Sequence, residues 1–132
     1  MAAGVKIQDL TFFYGKGELV LDRVQLEVTP GEKIGIIGPS GAGKSTLLLH
    51  LNGILSGEGK VVIGDTEVTK KNLPEIRKQV GLLFQNPDDQ LFNPTVEEDV
   101  IFGPLNFGMP QEEMRIKLKE ALASLKLEGF ET

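Results

Sequence analysis

Gly38-Pro39-Ser40-Gly41-Ala42-Gly43-Lys44-Ser45-Thr46 decides how this chain is read. The stretch satisfies G-x-x-x-x-G-K-[ST], the phosphate-loop pattern. Its spacing has a mechanical cause. Glycines let the backbone wrap so that successive N–H groups point inward and form an anion-sized nest. A helix starting at Lys44 aims the positive end of its dipole at the same point. Lys44 brings a full charge to the β- and γ-phosphates, and the Ser45 hydroxyl suits Mg²⁺.

The flanks agree with that mechanism. Upstream, Ile34-Gly35-Ile36-Ile37 is short and apolar on both faces, which predicts a buried parallel strand. Downstream, Leu47, Leu48, Leu51, Ile54 and Leu55 recur at helical spacing from Lys44 until Ser56-Gly57-Glu58-Gly59. The dinucleotide pattern G-x-G-x-x-G is not matched here. A phosphate loop also needs an acidic partner for Mg²⁺, normally an Asp closing an apolar strand. Asp65 after Val61-Val62-Ile63-Gly64 is the local candidate. However, Gly64-Asp65 before Thr66-Glu67-Val68 reads as a hairpin turn, so that acidic group is expected to be absent from the chain.

Further out, Val5 to Tyr14 and Val20 to Thr29 read as strands, the second with Val20, Val24, Leu26 and Val28 at even spacing. With Gly15-Lys16-Gly17 between them they make an antiparallel hairpin. Pro74 to Gln79 suits a short helix, and Val80 to Phe84 another buried strand. Thr95 can cap a helix whose first turn holds Glu97 and Glu98, with Gly103-Pro104 breaking it. Pro110 suits the first turn of a last helix with Glu112 and Glu113 near its start. Its apolar stripe is Met114, Leu118, Ala121, Leu122 and Leu125.

Composition narrows the function classes. The chain has 132 residues, the usual size of one domain or of a piece of a larger one. Its 14 basic against 19 acidic residues leave a net charge of −5, which argues against nucleic-acid binding on a basic face. With no Cys there is no disulfide framework, thiol nucleophile or zinc knuckle. His50 is the single histidine, so no multi-histidine metal site can form; at its place on the loop helix it reads as a packing residue. Asp88 and Asp89, without His or Cys, are poor transition-metal ligands. No apolar run reaches the ~18 residues of a membrane span, and Met-Ala-Ala-Gly-Val-Lys lacks the apolar core of a signal peptide.

The phosphate loop alone does not choose among kinases, GTPases and transport ATPases. Three features outside it do: Tyr14 closing a strand before the loop, Gln85 at the end of Val80-Gly81-Leu82-Leu83-Phe84, and the run Asn86 to Val100 followed by Phe102-Gly103-Pro104-Leu105-Asn106. In this order they closely resemble the nucleotide-binding subunits of ABC transporters. Phe84 to Asn106 and Leu48-Leu49-His50-Leu51-Asn52-Gly53 resemble one branch, the ATPases of energy-coupling-factor importers of the cobalt/nickel type. The resemblance covers essentially the whole chain.

The resemblance implies an α/β fold: a P-loop NTPase core with an N-terminal antiparallel β-subdomain and the start of a helical subdomain, truncated. Residues 1–85 are expected to hold the β-subdomain and core, and 86–132 the glutamine loop and the start of the helical part. Tyr14 matches the aromatic that stacks on adenine. Gly38, Ser40, Gly41, Ala42, Gly43, Lys44, Ser45 and Thr46 match the ATP-binding loop. Gln85 matches the glutamine that reaches Mg²⁺ and the attacking water, so Lys44 and Gln85 are the implied catalytic residues and Ser45 and Gln85 the Mg²⁺ ligands.

Residues 86–106 match the surface that receives the transmembrane subunit. The resemblance further implies a head-to-tail dimer with a second ATPase subunit, a peripheral place on the cytoplasmic face of the membrane, and no direct contact with cargo or nucleic acid. The family's signature motif, its catalytic Glu and its switch His lie beyond the sequence matched here. The expectation is therefore an N-terminal portion of a longer ATPase, with little turnover alone. An exposed sheet edge beside the loop strand is also expected, inviting self-association. The alternatives are a non-catalytic P-loop nucleotide-binding module or another P-loop ATPase or kinase. Against the last, no Asn-Lys-x-Asp guanine reader is present, and Arg23, Arg77 and Arg115 form no lid-like cluster.

Overall fold

The structure is a computed structural model that describes residues 3–15 and 17–132. Lys16 of the first expected turn, and Met1 and Ala2, lie outside the described residues. The chain divides into two compact units, Met1–Leu82 and Leu83–Thr132.

The first unit is built on alternation. Strands β1 (Val5–Tyr14) and β2 (Glu18–Val28) pair antiparallel, with Val5 opposite Val28 and Ile7 opposite Leu26. Strand β3 (Glu58–Ile63) pairs antiparallel with the other edge of β1, and β4 (Thr66–Glu67) with β3. The result is a four-stranded sheet in the order β2-β1-β3-β4. The expected hairpins are thus both present. Asp65 sits exposed in the β3–β4 turn, as the Gly-Asp reading requires. Ile7, Leu10, Leu21 and Val61 form the buried core of this unit, with Leu47 and Leu51 packed against it.

Leu47 and Leu51 belong to α1 (Lys44–Leu51), which starts where the loop pattern requires. It is shorter than its leucine spacing predicts. Asn52 is its C-cap, Gly53 turns with φ +68, and the amides of Ile54 and Leu55 both reach back to the Leu49 carbonyl. The buried residues of α1 are Thr46 and His50 rather than leucines. Helix α2 (Leu73–Gln79) matches the expected short helix and buries Ile76.

Two sequence expectations are corrected. Ile34–Ile37 runs outside the sheet, with Ile37 94% exposed. Val80–Phe84 is likewise in no ladder, and Leu83 is largely exposed. A buried parallel strand needs a parallel neighbour on its edge, and every described strand is already paired antiparallel within the sheet.

The second unit is helical. A 3-10 turn (Pro87–Gln90) leads to α3 (Val96–Asn106) and α4 (Gln111–Leu125). Thr95 caps α3 as expected: its Oγ1 accepts from the Glu98 amide at 3.2 Å. Pro104 does not break α3, which runs through it to Asn106. The ring removes one N–H donor near the helix end, while Phe107 N–H still reaches the Gly103 carbonyl. Pro110 is the N-cap of α4 rather than a residue of its first turn. Met114, Leu118 and Leu122 are buried along α4, whereas Leu125 at the end of the predicted stripe is exposed. Among the described residues no helix is long and apolar enough to cross a membrane.

Candidate phosphate-binding site

The loop between the Ile34–Ile37 segment and α1 carries the site. Gly41 (φ +81) and Gly43 (φ +85) hold left-handed backbone that L-residues rarely adopt. Gly43 is the N-cap of α1, and no side chain caps that end. The first turn of a helix presents amides without intrahelical acceptors. Here no side chain takes them up, and that turn holds no acidic residue that would repel an anion. Leu47 N–H closes the first helical bond onto the Gly43 carbonyl at 2.8 Å. Of the loop amides, that of Ala42 is turned to the Pro39 carbonyl at 3.3 Å.

Lys44 lies across its own loop. Its Nζ donates to the Gly38 carbonyl at 2.9 Å and the Pro39 carbonyl at 2.6 Å. The ammonium is thereby held by main-chain carbonyls of its own loop. Ser45 is exposed, while Thr46 is buried. Tyr14, at the end of β1, is 43% exposed, and its hydroxyl lies 3.3 Å from Thr46 Oγ1. The first unit therefore brings Tyr14 to the Thr46 end of the Gly38–Thr46 loop. Gln85 is exposed and belongs to the second unit. In that unit Asn93 and Asp99 are joined through Asp99 Oδ1, and Phe92 and Phe102 stack edge-to-face at 4.7 Å. Leu91, Phe92, Phe102 and Leu105 leave an exposed apolar surface between residues 86 and 106.

Residues 21–132 match the ABC transporter family. The chain belongs to that family. Among its relatives, the energy-coupling factor transporter ATP-binding protein EcfA of Methanocaldococcus jannaschii is 53% identical over 130 residues, covering 96% of this chain and 47% of that protein. The EcfA protein of Methanothermobacter thermautotrophicus is 47% identical over 130 residues, covering 96% and 42%. A solved structure of cbiO1 from Clostridium perfringens, part of the ABC transporter complex cbiONQ, superposes with a TM-score of 0.82 at 32% identity. It is matched over 96% of this chain and 52% of its own. This ABC transporter chain thus spans about half the length of the relatives it matches. Its antiparallel sheet followed by helices is the N-terminal portion of the ABC ATPase fold.

The sequence singles out the Gly38–Thr46 loop, Tyr14 and Gln85; the structure places Tyr14 beside Thr46 in the first unit and Gln85 in the second. Sequence reading missed the tie between Tyr14 and Thr46, and it gives His50 only a packing role. No spacing in the sequence signals that tie, which crosses from β1 to α1.

Proposed function

We propose that this chain is the ATP-binding part of a subunit that powers an energy-coupling-factor importer. The observation that carries the reading is the uncapped start of α1 beneath the Gly38–Thr46 loop, with Lys44 poised on two replaceable carbonyls. The 53% identity to an EcfA protein supports the branch.

In this reading Tyr14 stacks on adenine, since a flat ring offers a base a partner worth ~1–3 kcal/mol. The amides of the loop and of the first turn of α1 bind the phosphates, and Lys44 leaves its carbonyls for the β- and γ-phosphates. Ser45 would hold Mg²⁺, which when bound would neutralise charge on the phosphate oxygens, and the family resemblance gives Gln85 a role toward the same ion. Lys44 and Gln85 take part in hydrolysis. A division of labour between residues 1–85 and 86–132 follows: the first part binds nucleotide, and the second carries its state to a membrane subunit.

The exposed apolar residues Leu91, Phe92, Phe102 and Leu105 support a docking role for 86–106. A second ATPase subunit faces the loop head-to-tail, and the assembly sits peripherally on the cytoplasmic face of the membrane. The cargo is a micronutrient, cobalt or nickel in the branch resembled, and it does not touch this chain.

The test is transport by the intact complex. Cells carrying the full-length subunit with its membrane partners accumulate cobalt or nickel in an ATP-dependent manner, and Lys44→Ala abolishes it. Accumulation that persists in Lys44→Ala overturns the role as motor. ATP hydrolysis without cobalt or nickel uptake overturns the cargo.

A further inference from the structure

His50 has no part in the phosphate chemistry, yet it belongs to a closed cycle of four residues around the candidate site. Its Nδ1 lies 2.7 Å from the Thr46 carbonyl oxygen. A carbonyl only accepts, so Nδ1 bears the proton and the ring is fixed one turn beyond Thr46 on α1. The imidazole meets Phe12 in a T-shaped contact at 4.8 Å, and Phe12 meets Tyr14 in another at 4.9 Å. The Tyr14 hydroxyl returns to Thr46 Oγ1 at 3.3 Å and closes the cycle. That last contact is long for a bond between two oxygens. The aromatic side of the cycle is therefore the stronger tether on Tyr14.

Packing alone does not call for a histidine here. His50 is 1% exposed, and its Nε2 is buried with no hydrogen-bond partner among the described residues. Leaving a buried acceptor unpaired costs stability, and a leucine would occupy the place without that cost. The Gly57 turn passes close to the ring. A side chain at Gly57 would bring its Cβ 2.5 Å from the Thr11 carbonyl and 3.3 Å from Nε2. The absence of a side chain at Gly57 is what lets the imidazole and β1 sit this close to the turn.

We infer that His50 is a positioning residue. Through the Thr46 carbonyl on one side and Phe12 on the other, it holds the Tyr14 ring at a set place relative to the phosphate loop. Base and triphosphate are then bound at one spacing. The inference rests on the nucleotide reading above. ATP joins its base to its phosphates covalently, so both contacts form at once only when Tyr14 and the loop are pre-placed at the matching separation. Inorganic tripolyphosphate needs the loop alone.

The test compares those two ligands. Tyr14 is the single tyrosine and the chain has no tryptophan, so its emission reports this site alone. Titrations follow that emission in the unaltered protein, His50→Leu, Phe12→Leu and the double variant. ATP affinity falls about tenfold in each single variant, the loss of roughly one base-stacking contact. Tripolyphosphate affinity stays within about twofold. The double variant loses no more ATP affinity than either single one, because both break the same cycle. Equal weakening of both ligands, no weakening, or additive losses overturn the inference while leaving the nucleotide reading intact. Failure of the unaltered protein to bind ATP overturns both. A measurement without variants stands beside these: nuclear Overhauser contacts from the Phe12 ring to Tyr14 and His50 persist when ATP is added, and their loss on binding overturns the inference.

Discussion

Alanine at Gly43, Gly41 and Gly35 separates three physical effects within one short segment. Gly41 has φ +81, and a methyl group added there would meet nothing within 4 Å. A left-handed L-residue costs about 1–2 kcal/mol, partly offset by ~0.4–1 kcal/mol from the stiffer unfolded chain. Gly41→Ala should therefore destabilise by about 0.5–1.5 kcal/mol. Gly43 has a similar φ, +85, but its Cβ would sit 3.0 Å from the Val20 carbonyl oxygen and 3.1 Å from Leu21 Cδ2. The leucine end can shift, whereas the carbonyl is main chain of β2, between Leu19 and Leu21, which both pair with β1. Overpacking of this kind adds ~1–3 kcal/mol, so Gly43→Ala should cost about 1.5–4.5 kcal/mol. Gly35 has neither a left-handed φ nor a neighbour within 4 Å, and Gly35→Ala should stabilise by about 0.4–1 kcal/mol. Urea unfolding followed by Tyr14 emission reads all three as midpoint shifts at constant slope. A Gly43→Ala protein no less stable than Gly41→Ala would show that the Val20 carbonyl does not confine this position.

Two further outcomes follow from other parts of the chain. Thr95→Ala removes the acceptor for the Glu98 amide and should destabilise α3 by about 1 kcal/mol; Thr95→Ser should restore it, with the helical circular dichroism melt as readout. Ile37 is 94% exposed in a segment outside the sheet. Ile37→Lys should leave the unfolding midpoint within ~0.5 kcal/mol and lower self-association in sedimentation velocity, since a charge disfavours strand-to-strand pairing. Unchanged association removes that segment as the adhesive surface.

Local signals in the sequence translate well into structure. The alternation at Val24, Leu26 and Val28 fixes which face of β2 turns inward, and Gly64-Asp65 makes the β3–β4 hairpin, because both are decided within a few residues. Thr95 caps its helix for the same reason. The misreadings are of features decided at long range. Ile34–Ile37 and Val80–Phe84 have the composition of buried strands, but composition does not supply the parallel neighbour that pairing demands. Pro104 reads as a breaker, yet its missing donor falls in the last turn of α3, where losing one bond is tolerated. The leucine periodicity of α1 points to an apolar face, while its most buried positions are Thr46 and His50, since that face meets Phe12 and the Tyr14 hydroxyl. At the candidate site, the loop and Tyr14 are legible because their pattern is the chemistry. The cycle joining them is not, because it crosses from β1 to α1 through contacts that no spacing records.

Everything proposed for the Gly38–Thr46 loop depends on its binding a nucleoside triphosphate through Lys44. Calorimetric titration of the folded chain with ATP in the presence of Mg²⁺ tests this without intermediaries, beside Lys44→Ala at matched melting temperature. One ATP should bind per chain, with an affinity about tenfold or more lower in Lys44→Ala, the scale of losing a hydrogen bond to a charged group. Equal affinity in the two proteins would mean that Lys44 does not hold the phosphates.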